Sequence, residues 1–151
     1  MRKLAAVSML ILVVAGCNRA PVRDRAEEDR IRVAVFEYQI EHNAAPVYFL
    51  SVGQAAGDPS DEIMKHFEGH VPPVKPASQG TAGAGASMND MLTGDTGVLL
   101  TAAAVKWISN TEVEVEGGYF ENAKAASGDT YHVVLRDGLW VVDKDAVDWG
   151  S

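Results

Sequence analysis

The chain has 151 residues, 47% of them hydrophobic, a net charge of −8 and a single cysteine. That acidic balance excludes a nucleic-acid binder, which needs a basic face to neutralise phosphates, and one cysteine excludes an internal disulfide. The longest apolar run, residues 4–14, is eleven residues long, too short for a bilayer span of about 20.

This run stands behind Arg2 and Lys3 and is followed by Ala15-Gly16-Cys17. A short positive segment, an apolar segment and small residues before a cleavage point predict a secretory signal peptide over residues 1–16. The sequence Val14-Ala15-Gly16-Cys17 resembles the lipobox of bacterial lipoproteins. The resemblance implies that Cys17 receives a diacylglyceryl thioether, becomes the new N-terminus and is acylated, so that the membrane is a partner through lipid alone. Each acyl methylene contributes about 0.8 kcal/mol, and two or three chains anchor a protein stably where one does so only marginally. Asn18 follows the cysteine, in place of the Asp that in this family goes with inner-membrane retention. That implies the outer membrane of a diderm envelope, with the protein facing the periplasm. The chain is also similar to envelope lipoproteins of no assigned role.

Removal of residues 1–16 leaves 135 residues with 11 basic and 21 acidic side chains, a charge of −10. That length suits one domain with a core of its own, over residues 23–151, on a lipidated tether of residues 17–22. Arg19, Arg23, Arg25, Arg30 and Arg32 cluster near the anchor, which sets a nearly neutral stem beside anionic lipid and an acidic body away from it.

Next comes a helix running to about His42-Asn43, with Val22, Ala26, Val33, Phe36 and Ile40 on one face and Ile31, Val35 and Tyr38 on the other. Residues 47–52 are β-branched and aromatic between Pro46 and Gly53 and predict a buried strand. Asp58-Pro59 then predicts the start of a short helix, with Asp58 as N-cap and Gly69 ending it. Pro72, Pro73 and Pro76 exclude another helix and leave residues 74–78 as an edge strand or extended connection. Residues 80–97, rich in Gly and Ala, read as a flexible loop.

Beyond this loop, residues 98–108, 112–120, 130–136 and 139–142 predict strands, with Asp137-Gly138 as a two-residue hairpin. A three-residue turn at Ser109-Asn110-Thr111 pairs Trp107 with Val113, Val105 with Val115 and Lys106 with Glu114. One face is then apolar and the other charged; a two-residue turn would mix them. Gly117-Gly118 suggests a bulge or bend.

This order, ending in Gly138-Leu139-Trp140-Val141-Val142 and Trp149, resembles the cystatin-like and NTF2-like α+β group. The resemblance implies a long N-terminal helix packed on a curved, mainly antiparallel sheet, a cone whose members range from enzymes to carriers and scaffolds.

Four constellations carry candidate chemistry. Glu62, His66 and His70 stand at four-residue steps, a metal-ligand pattern only if the helix continues past Gly69. Tyr38, His42, Asp58 and His132 are the polar residues an enzymatic pocket between helix and sheet could use, although alternation sets His132 outward. Gly80-x-x-Gly83-x-Gly85 lacks the preceding strand and following Lys of a phosphate loop. Glu112, Glu114 and Glu116 form an acidic ladder, either a solvated face countered by Lys106 and Lys124 or a docking face for a basic partner. No nucleophile elbow and no cofactor motif is present. The expected function is therefore a lipid-anchored envelope protein, non-catalytic, whose domain binds a protein partner or a small ligand. The alternative is an NTF2-like enzyme with its pocket between the helix and the sheet.

Overall fold

The computed structural model describes residues 23–53, 57–83 and 87–151. The signal peptide, the lipobox with Cys17 and the tether lie outside the described residues. Helix α1 (Arg25–His42) begins where the Asp24 carboxylate accepts the Ala26 N–H at 3.1 Å, with Glu27 and Glu28 in the first turn. Both features favour a helix start, the first by occupying an orphan donor and the second through the helix dipole. Of its two apolar faces, Ile31 and Val35 lead into the core, joined by Phe36, all fully buried; Val33 and Ile40 are only half-buried.

Strand β1 (Tyr48–Val52) has four consecutive buried residues because it lies inside the sheet, parallel to β2 (Val74–Pro76) on one side and to β5 (Thr96–Trp107) on the other. Helix α2 (Asp61–His66) is capped by Ser60, whose Oγ accepts the Ile63 N–H at 3.3 Å and donates to Asp29 at 2.6 Å. The expected cap, Asp58, binds the Ser78 N–H and hydroxyl instead, at 2.9 and 2.6 Å.

The segment read as a flexible loop holds two short strands, β3 (Gly80–Ala82) and β4 (Met88–Asp90), paired with each other, β4 also pairing with the start of β5. Buried Asp90 fastens it. Its carboxylate takes the Lys75 ammonium and the backbone N–H groups of Leu92 and Thr93.

Strands β5, β6 (Glu112–Asn122), β7 (Ala125–Arg136) and β8 (Leu139–Gly150) follow one another antiparallel, giving the sheet order β2-β1-β5-β6-β7-β8. The β5–β6 register pairs Trp107 with Val113, Val105 with Val115 and Lys106 with Glu114, as the three-residue turn requires. Val113 and Val115 are buried while Lys106 and Glu114 form an ion pair at 2.8 Å on the other face. The irregularity falls between Ala102 and Val105 of β5 rather than at Gly117-Gly118, and the Arg32 guanidinium donates to the Ala103 carbonyl there, at 3.3 and 3.4 Å. Gly117 and Gly118 serve close approach: a Cβ would stand 2.3 Å from the Thr101 oxygen at the first and 2.0 Å from the Ser127 oxygen at the second.

The expected α+β class, a cystatin-like or NTF2-like cone defined by a long helix on a mainly antiparallel sheet, is corrected. Half of the described residues lie in strands against 22% in helices, and these residues form eight strands and only two α-helices, one of six residues. The chain is mainly β, with a parallel element at β2-β1-β5. The extra strand residues are those with poor intrinsic β propensity, such as Lys144 and Asp145, which pairing with His132 and Tyr131 of β7 holds extended. The core gathers Ile31, Val35 and Phe36 with Leu50, Leu100, Val113, Val115 and Val133. No helix among the described residues is long and apolar enough to cross a membrane.

Candidate ligand-binding site

Ile31, Val35 and Gln39 follow one another at four-residue steps on α1, so the helix periodicity that buries the first two also buries Gln39, to 1% exposure. A buried amide must find partners. The Gln39 Nε2 donates to the Thr101 carbonyl at 3.0 Å, to the Gly118 carbonyl at 3.1 Å and to the Tyr131 hydroxyl at 3.1 Å. The Tyr131 hydroxyl in turn donates to Asp129 Oδ2 at 3.1 Å, and the Ser127 hydroxyl donates to the same oxygen at 2.7 Å. The alternative amide orientation would press Oε1 against two carbonyl oxygens, so the network itself fixes Nε2 where it stands. Oε1 is then left buried with no donor among the described residues.

This network borders a cleft of about 510 Å³ between the end of α1 and strands β6, β7 and β8, also lined by Tyr38, His42, Tyr119 and Asp145. The Tyr38 hydroxyl donates to Asp145 Oδ1 at 3.0 Å, and its ring stacks on His42 with centroids 4.0 Å apart. His42 Nδ1 lies 2.7 Å from the Tyr38 carbonyl, which can only accept, so Nδ1 carries the hydrogen and Nε2 of the neutral ring is an acceptor. Burial pushes the Tyr131 phenol well above its ordinary pKa; the Gln39 hydrogen bond opposes this and the Asp129 charge adds to it. Tyr38 is raised first by burial and then by its bond to Asp145. Both phenols therefore keep their protons and act as donors to carboxylates. Among the described residues neither Asp129 nor Asp145 forms an ion pair.

A larger groove of about 720 Å³ lies between the first half of α1, α2 and the β7–β8 turn. Most of its polar side chains are already matched. His66 Nε2 meets Glu37 at 2.8 Å, Asp29 takes the Ser60 hydroxyl, and the Trp140 indole N–H donates to Glu27 at 2.5 Å, which holds the Glu27 carboxyl below its ordinary pKa. The groove is mostly apolar and its unpaired Glu62 is exposed, whereas the cleft holds a buried carboxylate, Asp129, with no cation among the described residues, so the cleft is the stronger candidate.

Of the four polar residues singled out in the sequence, Tyr38 and His42 line the cleft, whereas Asp58 binds Ser78 and His132 sits on the opposite sheet face, its Nδ1 3.7 Å from Asp143. Glu62, His66 and His70 do not converge: α2 ends at His66, Gly69 turns away with a φ of 77°, and His70 Nδ1 bonds to the Pro72 carbonyl at 2.6 Å. Gly80 opens β3 and the Gly83 N–H is taken by the Ser87 carbonyl at 2.7 Å, so these groups are not held for a phosphate; Gly85 lies outside the described residues. In the acidic ladder Glu114 is paired with Lys106, which lowers its pKa, as a solvated face would have it.

Gln39, Ser127, Asp129, Tyr131 and Asp145 were not foreseen. Gln39 carried a usable signal, a polar residue on an otherwise apolar helical stripe. Ser127, Asp129 and Asp145 stand in parts of β7 and β8 whose composition does not mark a strand. No family model, curated protein or solved structure matches the chain.

Proposed function

We propose that the protein is a lipid-anchored component of the bacterial cell envelope, attached through Cys17 and facing the periplasm from the outer membrane, whose domain binds a small ligand without catalysis in the cleft between α1 and β6–β8. The anchor reading is supported by Arg2, Lys3 and the Val14-Ala15-Gly16-Cys17 sequence. The observation that carries the ligand-binding reading is the Gln39 amide, whose donor side is fully engaged while its buried acceptor, on a residue lining the cleft, has no donor among the described residues. Leaving such a group unmatched costs about 1–3 kcal/mol, a cost a ligand with a hydrogen-bond donor removes. The two phenols are shifted away from neutral pH, which unsuits them to general acid–base work. Docking of a basic protein on the glutamate ladder has less support, since Lys106 already answers Glu114.

Native mass spectrometry of the full chain, released from the envelope in mild non-ionic detergent, tests this reading. A small-molecule adduct on the wild type that is lost in Tyr38→Ala is the expected result. An adduct-free wild type, or an adduct unaffected by the substitution, contradicts it.

A further inference from the structure

Resting on that reading of the cleft, we infer that its ligand carries a primary ammonium group on an apolar body. The donors of the cleft floor are engaged internally: the Gln39 amide hydrogens on two backbone carbonyls and Tyr131, the Tyr131 and Ser127 hydroxyls on Asp129, and the Tyr38 hydroxyl on Asp145. Acceptors remain. Both bonds to Asp129 land on Oδ2, leaving Oδ1 without a donor among the described residues; none of those residues donates to the His42 Nε2 lone pair or to the buried Gln39 Oε1 either.

Charge points the same way. Asp129 is only 5% exposed and, like Asp145, is paired with no cation among the described residues, although a buried carboxylate ordinarily requires one. A neutral donor would satisfy the lone pairs and leave the charge; an anion would add to it. An ammonium supplies both the charge and three N–H donors. Tyr38, His42, Tyr119 and Tyr131 line the walls with aromatic rings, and Val147 gives the ligand's alkyl part apolar surface.

The test is chemical-shift mapping on the full chain in non-ionic detergent with four probes: n-butylammonium, tetramethylammonium, n-butanol and butyrate. Butylammonium should shift the signals of Gln39, Tyr131 and Asp129 and bind most tightly. Asp129→Asn should weaken it about tenfold, the loss of one charge-assisted bond. Asp145→Asn, at an exposed position, provides a second readout if Asp129→Asn does not fold. If butanol or butyrate maps to the cleft at equal or greater strength, the cleft binds a ligand but the ammonium inference is overturned. Tetramethylammonium binding as tightly as butylammonium also overturns it, because that probe has no N–H. If no probe of any class moves the cleft signals, both the inference and the ligand-binding reading fail.

Discussion

Replacing Gln39 by leucine keeps the volume of the side chain and removes its amide from the floor of the cleft. The Thr101 carbonyl loses the Nε2 donor at 3.0 Å; the Gly118 carbonyl loses one at 3.1 Å but keeps the Thr101 hydroxyl at 3.2 Å; Tyr131 keeps its bond to Asp129. One buried carbonyl left poorly matched costs about 1–3 kcal/mol and each net hydrogen bond about 1 kcal/mol, while deleting the unmatched Oε1 returns part of this. The balance is a destabilisation of about 2 kcal/mol, or about 8 °C in thermal midpoint for a domain of this size. Gln39→Glu should be worse, because an ionised oxygen would face the same two carbonyls and Asp129. A cycle with Tyr131→Phe should give a coupling of about 1 kcal/mol, since the two residues share one network. Thermal and urea unfolding of the full chain, followed by circular dichroism, measures all three quantities. Gln39→Leu within about 0.5 kcal/mol of wild type, or Gln39→Glu more stable than Gln39→Leu, would refute the assignment of donor and acceptor at this amide.

Gly117→Ala should cost at least about 2 kcal/mol in urea unfolding, because its Cβ would stand 2.3 Å from the Thr101 backbone oxygen, which cannot move without opening the β5–β6 ladder; a neutral result would mean the strands are farther apart. The Lys75 ammonium, followed by the Leu92 N–H, holds the Asp90 carboxyl below its ordinary pKa. Stability from this group is therefore fully present above the ordinary carboxylate pKa and lost as pH falls through the folded value. Lys75→Met should accordingly lower the urea midpoint at neutral pH, and its gap from wild type should shrink in acid; a gap that widens in acid would reverse the sign. Cys17→Ser should abolish incorporation of a fatty-acid analogue during growth, since only the thiol accepts the diacylglyceryl group; label retained in the variant would remove the lipid anchor from the proposal.

The β5–β6 pairing was legible because alternation along Val105, Lys106 and Trp107 against Val113, Glu114 and Val115 admits one register that keeps apolar residues together. The buried character of β1 was legible from its unbroken apolar run, but its two parallel neighbours were not. Parallel pairing joins segments far apart in the chain and leaves no turn signal between them. The β3–β4 pairing was hidden because its order comes from Asp90, which binds Lys75 on β2 and the backbone after β4, not from the weak strand propensity of Gly80, Ala82, Asn89 and Asp90. For the same reason half of the cleft went unseen. Tyr38 and His42 could be placed from the helix alone, whereas Ser127, Asp129 and Asp145 are brought to it by sheet pairing that extends β7 and β8 through polar sequence.

The most direct measurement is the side-chain amide resonance pair of Gln39 in the full chain, followed while n-butylammonium is added. Its two hydrogens are held on fixed acceptors while its buried oxygen has no donor among the described residues, so a ligand binding at Asp129 should shift the amide nitrogen and both protons together with the Tyr131 and Asp129 signals, saturably, and the titration midpoint should rise about tenfold in Asp129→Asn. A Gln39 pair that stays still while butylammonium binds elsewhere on the protein would contradict the cleft as the place where this domain meets its ligand.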